Sequence, residues 1–101
     1  MIQAEISIYP IATKSTSVSF YIAKAIESVK DMENLRYEIN SMGIILESDN
    51  IDIINKASKS MIETIHHLGI NRVEVIIKID SRTDKHKKMK EKIDSIKKQM
   101  N

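Results

Sequence analysis

Three places in this sequence carry side chains whose types and spacing bear on chemistry. The first is Thr13-Lys14-Ser15-Thr16-Ser17-Val18-Ser19, which gathers hydroxyls and one ammonium. With Ser17 opening a helix, the free amides of the first turn join them, a combination that receives anions or polar heteroatoms. The same residue types are also ordinary helix caps. The second place is a set of charges on alternating segments: Glu5, Glu47 and Lys78. Paired carboxylates can do acid–base work, and Glu5 and Glu47 are the one plausible pair, which is the hydrolase reading. The third is the pair His66-His67. Adjacent residues point in different directions from a helix, so the pair lacks the i, i+4 geometry of a zinc site. As last-turn residues they complement the helix dipole instead.

Other chemistry is poorly provided for. His86 stands alone in a lysine-rich stretch. The sequence holds no G-x-S-x-G elbow and no cysteine, and its two glycines cannot make a phosphate-cradling loop. A nucleophile also needs a base and an orienting group within reach. No catalysis, metal or cofactor is therefore expected.

The elements that must position these residues follow from the apolar pattern. Residues 2–9 alternate, with Ile2, Ala4, Ile6 and Ile8 on one face and Gln3, Glu5, Ser7 and Tyr9 on the other, as a half-buried strand does. Pro10 is expected to end it. Ser17 is the expected N-cap of a helix whose stripe is Val18, Ile22, Ala25, Ile26, Val29 and Met32, with Phe20 off the stripe. Residues 35–40 and 44–47 read as a hairpin, with Gly43 at a turn or bulge that needs positive φ. Ser48, Asp49 and Asn50 supply caps for a helix carrying Ile51, Ile54, Ala57, Met61, Ile62, Ile65 and Leu68, closed by Gly69 and Ile70. Residues 72–80 form the last and most apolar strand. A helix over about 84–100 shows Met89, Ile93, Ile96 and Met100 among lysines.

The order β-α-β-β-α-β plus a C-terminal helix is the ferredoxin-like pattern. The expected class is α+β, with an antiparallel sheet whose second face has no helical cover. That face is expected to place Glu5, Glu47 and Lys78 side by side, beside Tyr9, Ile45 and Ile76. Opposite charges across neighbouring strands contribute about 0.2–1 kcal/mol per pair. A face mixing apolar and convergent polar groups also suits a ligand or a second subunit.

Length and composition set the outer bounds. The 101 residues argue for one domain, 1–101, with a modest core. One Phe, three Tyr and no Trp leave that core to Ile, Val, Leu and Met. The net charge of +2 is too small to mark a nucleic-acid binder. Acids interrupt the lysine-rich tail, which reads as a solvated amphipathic helix. The central strand 44–47 lacks the aromatics on which RNA-recognition sheets stack bases. No secretory signal is expected and no run spans a bilayer, so the expected location is the cytoplasm.

The stretches ATKSTSVSFYIAKAIE, YEINSMGIILES and RVEVIIKIDSRTDK resemble, in order and over nearly the whole chain, the small thiamine-binding family related to YkoF. The likeness is strongest at Ser15-Thr16-Ser17-Val18-Ser19, Met42-Gly43 and Lys78-Ile79-Asp80. The pattern departs at Ala12, where the family typically has Gly. It departs also at Ser41, Ile44 and Ser48, in a hairpin that typically reads P-M-G-T with E-G after it, and at Ser81, where a second acid is usual. The resemblance implies a ferredoxin-like subunit, dimers joined through their sheets, tetramers made by packing sheet on sheet, and binding of thiamine or its hydroxymethylpyrimidine portion without catalysis, in thiamine metabolism or transport.

It also implies ligand-binding roles for Ser17, Ser19, Met42, Gly43, Glu47, Lys78 and Asp80. By side-chain chemistry, Glu47 accepts from a pyrimidine amino group, and Ser17 or Ser19 donates to ring nitrogens. Ile45, Ile76 or Tyr9 contacts the ring, while Lys78 and Arg82 hold the carboxylates or the interface. The competing expectation is an oligomeric regulatory or scaffolding domain that acts through a protein partner, using Phe20 and the Met89 to Met100 stripe.

Overall fold

The computed structural model describes residues 1–100. Strands β1 (Ile2–Ile11), β2 (Arg36–Asn40), β3 (Gly43–Ser48) and β4 (Arg72–Ser81) form one antiparallel sheet in the order β2-β3-β1-β4. Helices α1 (Ser19–Glu27) and α2 (Ile51–His67) cover one face, and α3 (Met89–Gln99) ends the chain. This is the ferredoxin-like topology that the apolar pattern and the resemblance both indicate; Asn101, the last residue of the expected domain, lies outside the described residues.

The core lies where the alternation puts it. Ala4, Ile6, Ile44 and Leu46 from the central strands meet Ala25, Ile26, Ile54, Ala57, Met61 and Ile65 from the two helices, all buried. Burial of each large aliphatic side chain contributes about 1.5–3 kcal/mol. Asn50 caps α2 by accepting the Asp52 N–H at 2.8 Å. Gly69, at φ 94°, closes that helix in the left-handed conformation and brings Ile70 back into the core. His66, in the last turn, donates Nδ1–H to the Ile70 carbonyl at 2.8 Å.

Four expectations are corrected. Pro10 does not end β1, which runs on to Ile11 opposite Arg72. Pairing with β3 stops at Ile6, so Pro10 stands where β1 has a free edge, and an edge tolerates proline. Ser17 is not the N-cap of α1; Val18 is, without any side-chain cap, and the helix stops at Glu27, leaving Val29 and Met32 to the turns that follow. Gly43 has no positive φ. It is a strand residue, and a Cβ there would lie 2.3 Å from the Ile6 carbonyl oxygen, so glycine is required by close approach.

The second face of the sheet is not left wholly uncovered. Gln3 donates to the Lys87 carbonyl at 3.0 Å. Glu47 accepts the Met89 N–H at 2.6 Å, and Lys92 pairs with Asp80. The start of α3 thus crosses one end of this face, although no residue of α3 is buried.

Candidate ligand-binding site

Register decides which functional residues meet. On the helix-free face the strands align in cross-strand rows. Arg36, Glu47, Gln3 and Asp80 make one row across all four strands. Glu38, Ile45, Glu5 and Lys78 make the next. Glu5 and Lys78 are opposite each other as expected, but Glu47 is one row away, opposite Gln3.

Glu47 is 1% exposed. Arg36 donates from Nε to Oε1 at 2.7 Å, and its terminal nitrogen forms an ion pair with the same oxygen at 2.6 Å. Gln3 Nε2 donates at 3.2 Å and the Met89 N–H at 2.6 Å to Oε2. Burial pushes this carboxyl upward in pKa, but the Met89 N–H, the Arg36 guanidinium and the Gln3 amide together outweigh it and hold Glu47 below the usual carboxylate range. Both oxygens are therefore already engaged by the chain itself.

Lys78 and Asp80 lie together on β4, lining a cavity of about 220 Å³ with Gln3, Glu5, Ile45 and Lys92. The hydrogen bond and charge of Lys92 depress the Asp80 carboxyl. Ser17 and Ser19 are exposed, and their hydroxyls are 3.5 Å apart. Ser17 lines a polar hollow of about 440 Å³ with Thr13, Lys14, Ser15 and the residues that close α2.

Met42 and Gly43 belong to a different place. The β2–β3 hairpin turns in two residues, Ser41 and Met42, between the paired Asn40 and Gly43. Asn40 Oδ1 accepts the Met42 N–H at 2.8 Å, and Ser7 Oγ donates to the Met42 carbonyl at 3.2 Å. The tip is thereby pinned beside β1. Beyond it, β1 and β4 run on alone. An apolar cavity of about 240 Å³ occupies this step in the sheet. Its floor is Ile6, Ile44 and Met61; α1 supplies Ile22 and Ile26, and its N-cap supplies Val18. The hairpin supplies Ile39, Asn40, Ser41 and Met42, and Ile8 and Tyr9 complete the wall. Met42, at 76% exposed, stands at the mouth.

The structure thus divides the seven predicted residues. Met42 and Gly43 line this cavity, with Val18 between Ser17 and Ser19 reaching it. Glu47 and Asp80 lie on the helix-free face in the row α3 crosses, and Lys78 lies in the next row. Sequence reasoning missed Asn40 and Ile22 as wall residues. Asn40 had one usable signal: an amide just before a two-residue turn is placed to bond the turn's backbone.

Topology and cavity define an α+β domain of the ferredoxin-like class with an apolar recess at the sheet's step. A model of the family described as thiamine-binding protein matches residues 4–97, and the chain belongs to that family. A UPF0045 protein of Methanothermobacter thermautotrophicus is 40% identical over 97 residues, covering 96% of this chain and 97% of the relative. The crystal structure of a hypothetical protein from Methanocaldococcus jannaschii superposes with a TM-score of 0.85 at 40% identity, over 95% of each chain. A domain of unknown function from Bacillus cereus does so with a TM-score of 0.77 at 27% identity, over 91% of this chain and 86% of that one. Among the described residues, no helix is long and apolar enough to cross a membrane.

Proposed function

We propose that the protein binds thiamine or its hydroxymethylpyrimidine portion, as a non-catalytic homo-oligomer, with the pyrimidine ring in the cavity between α1 and the β2–β3 hairpin. One observation carries this reading. In a member of the thiamine-binding family, Val18, from one of the stretches on which the sequence resemblance rests, and Met42-Gly43, from another, line one apolar cavity, while Ser15 and Ser17 line the separate polar hollow.

Size and chemistry agree with it. At about 240 Å³ the cavity is smaller than the roughly 300–1,000 Å³ of sites that enclose drug-sized ligands. That volume suits one substituted heteroaromatic ring and leaves the thiazolium of thiamine at the mouth, near Met42. The ring's faces meet Ile8, Ile22 and Ile39. The Asn40 amide nitrogen is a donor for a ring nitrogen, and the Ser41 hydroxyl is both donor and acceptor for the amino group. Glu47 has the role of a structural carboxylate in this reading.

Self-association is supported by β4. This ten-residue edge strand leaves Ile76, Ile77 and Ile79 substantially exposed, and a long apolar edge is what a second strand pairs with. The competing reading, docking of a protein partner, is favoured by Phe20, which is exposed with the Lys24 ammonium 5.7 Å from its ring centre.

Calorimetric titration with thiamine, hydroxymethylpyrimidine and their phosphates tests the proposal. Saturable binding is expected, with a stabilisation of about 2.7 kcal/mol at a hundred times Kd. Asn40→Ala and the cavity-filling Ile22→Trp are each expected to weaken binding at least about tenfold, roughly the worth of one well-made polar contact or of the occupied space. Glu47→Gln is expected to leave affinity in place. Absence of binding by every pyrimidine compound would overturn the reading and bring the protein partner forward.

A further inference from the structure

We propose that the C-terminal segment, residues 85–99, is a strap that docks reversibly across the helix-free face of the sheet, fastened at its start by the Glu47 carboxylate. The segment has little apolar hold on the domain: Met89, half-buried, is its one apolar side chain that is not exposed. No residue of α3 is buried, and Ile93, Ile96 and Met100 are exposed. Its attachments are polar and crowd into its first turn and the residues before it. Gln3 bonds the Lys87 carbonyl at 3.0 Å, Glu47 accepts the Met89 N–H at 2.6 Å, and Lys92 pairs with Asp80. His86 approaches Asp49 at 3.6 Å.

Glu47 supplies what the helix lacks. Lys88, the N-cap, makes no side-chain cap bond, so the free amide of Met89 takes its acceptor from β3, 42 residues earlier. A carboxylate at a helix N-terminus also meets the favourable end of the dipole. An eleven-residue helix is marginal alone in water, so α3 is helical because it is docked, and undocking melts it. Docking in turn completes a cavity. Lys92 of the strap closes the hollow walled by Gln3, Glu5, Ile45, Lys78 and Asp80. With the strap away, that polar row is open to whatever packs on this face.

The test compares two variants that both lose the Met89 side chain and differ in whether the amide donor is kept. Met89 is the first residue of α3, where proline is well tolerated because its missing N–H is not needed by the helix. Lys88, at φ −73° and ψ 161°, already has the extended conformation that a residue before proline prefers. Met89→Pro therefore deletes the donor to Glu47 while leaving a helix-compatible backbone. Met89→Ala removes the same side chain and keeps the donor. Amide hydrogen exchange of residues 90–99 is followed in the full chain by mass spectrometry. Exchange about tenfold faster in Met89→Pro than in Met89→Ala is expected, the loss of one charge-assisted bond, with core strands unchanged. Equal exchange in the two variants, or release of α3 only together with the core, would overturn the strap.

Discussion

Glu47 and Met89 are joined by a 2.6 Å hydrogen bond across 42 residues of chain, so a buried carboxylate of a central strand serves as the cap of the C-terminal helix. The same carboxylate binds Arg36 and Gln3. Removing it leaves three donors behind, one of them an amide at a helix end. Glu47→Ala is expected to cost about 2–3 kcal/mol, moderated because Arg36 reaches water. A lower urea midpoint with unchanged slope is the check.

The pH dependence follows from the same group. The folded pKa of Glu47 is depressed. Its contribution is therefore complete above the unfolded value, about 4.3, and is lost as pH falls through the folded value. Asp80 and Asp84, depressed by Lys92 and by Arg82 at the surface, act in the same direction. Urea midpoints measured from pH 7 down to pH 3 should be flat at first and then fall. The fall should be shallower in Glu47→Gln, and an identical profile would contradict the assignment.

Gly43 admits no side chain. A Cβ there would lie 2.3 Å from the backbone oxygen of Ile6 and 3.2 Å from Ser7 Oγ. The nearer atom belongs to a central strand and cannot swing away. Gly43→Ala is expected to cost about 3 kcal/mol, the upper part of the range for overpacking. Thermal unfolding should show Tm lower by more than about 10 °C.

Ala12 carries strain that glycine would relieve. Its φ of 63° lies in the left-handed region, which costs a residue with a Cβ about 1–2 kcal/mol. Ala12→Gly recovers this, less the entropy glycine adds to the unfolded chain. A net gain of about 0.5–1 kcal/mol is expected, seen as Tm higher by about 4 °C. The substitution also restores the residue that the resemblance makes usual at this position.

The edge strand predicts assembly. Light scattering coupled to size-exclusion chromatography is expected to give a multiple of the 11.6 kDa subunit mass. The double substitution Ile77→Lys and Ile79→Lys places charge on an edge, a means by which edge strands are kept apart, and is expected to return a monomer. Retention of the wild-type mass would move the interface away from β4.

The fold was legible because its signals are local. Alternation in residues 2–9 and helical spacing in residues 51–68 each assign a buried face from neighbours in the chain; Ile2, Ala4, Ile6 and Ile8 are found buried, as are Ile54, Ala57, Met61 and Ile65, while Ile51 and Leu68 at the ends of the helical stripe are exposed. What was not legible depends on partners far away. A period of two tells which face Glu47 is on but not which row, since register is set across strands; hence Glu47 stands opposite Gln3 and not beside Lys78. The reason for Gly43 is a carbonyl 37 positions earlier, which no local rule reports. The docking of α3 escaped notice because an apolar stripe draws attention to Ile93 and Ile96, whereas the bonds that hold it are made by a backbone amide and a backbone carbonyl.

The sheet is four strands wide across the rows of Gln3 to Ile6, and beyond Ile6 only β1 and β4 pair. A two-stranded ribbon is marginal by itself, so the overhang of residues 8–11 and 72–75 is the compliant part of an otherwise stiff platform. The apolar recess sits on the seam between them, with Ile44 on the stiff side and Ile8 and Tyr9 on the compliant one. An occupant of that recess acts as mortar. It ties the overhang to the platform, and the protection it confers falls on the amides of the overhang rather than on those of the core.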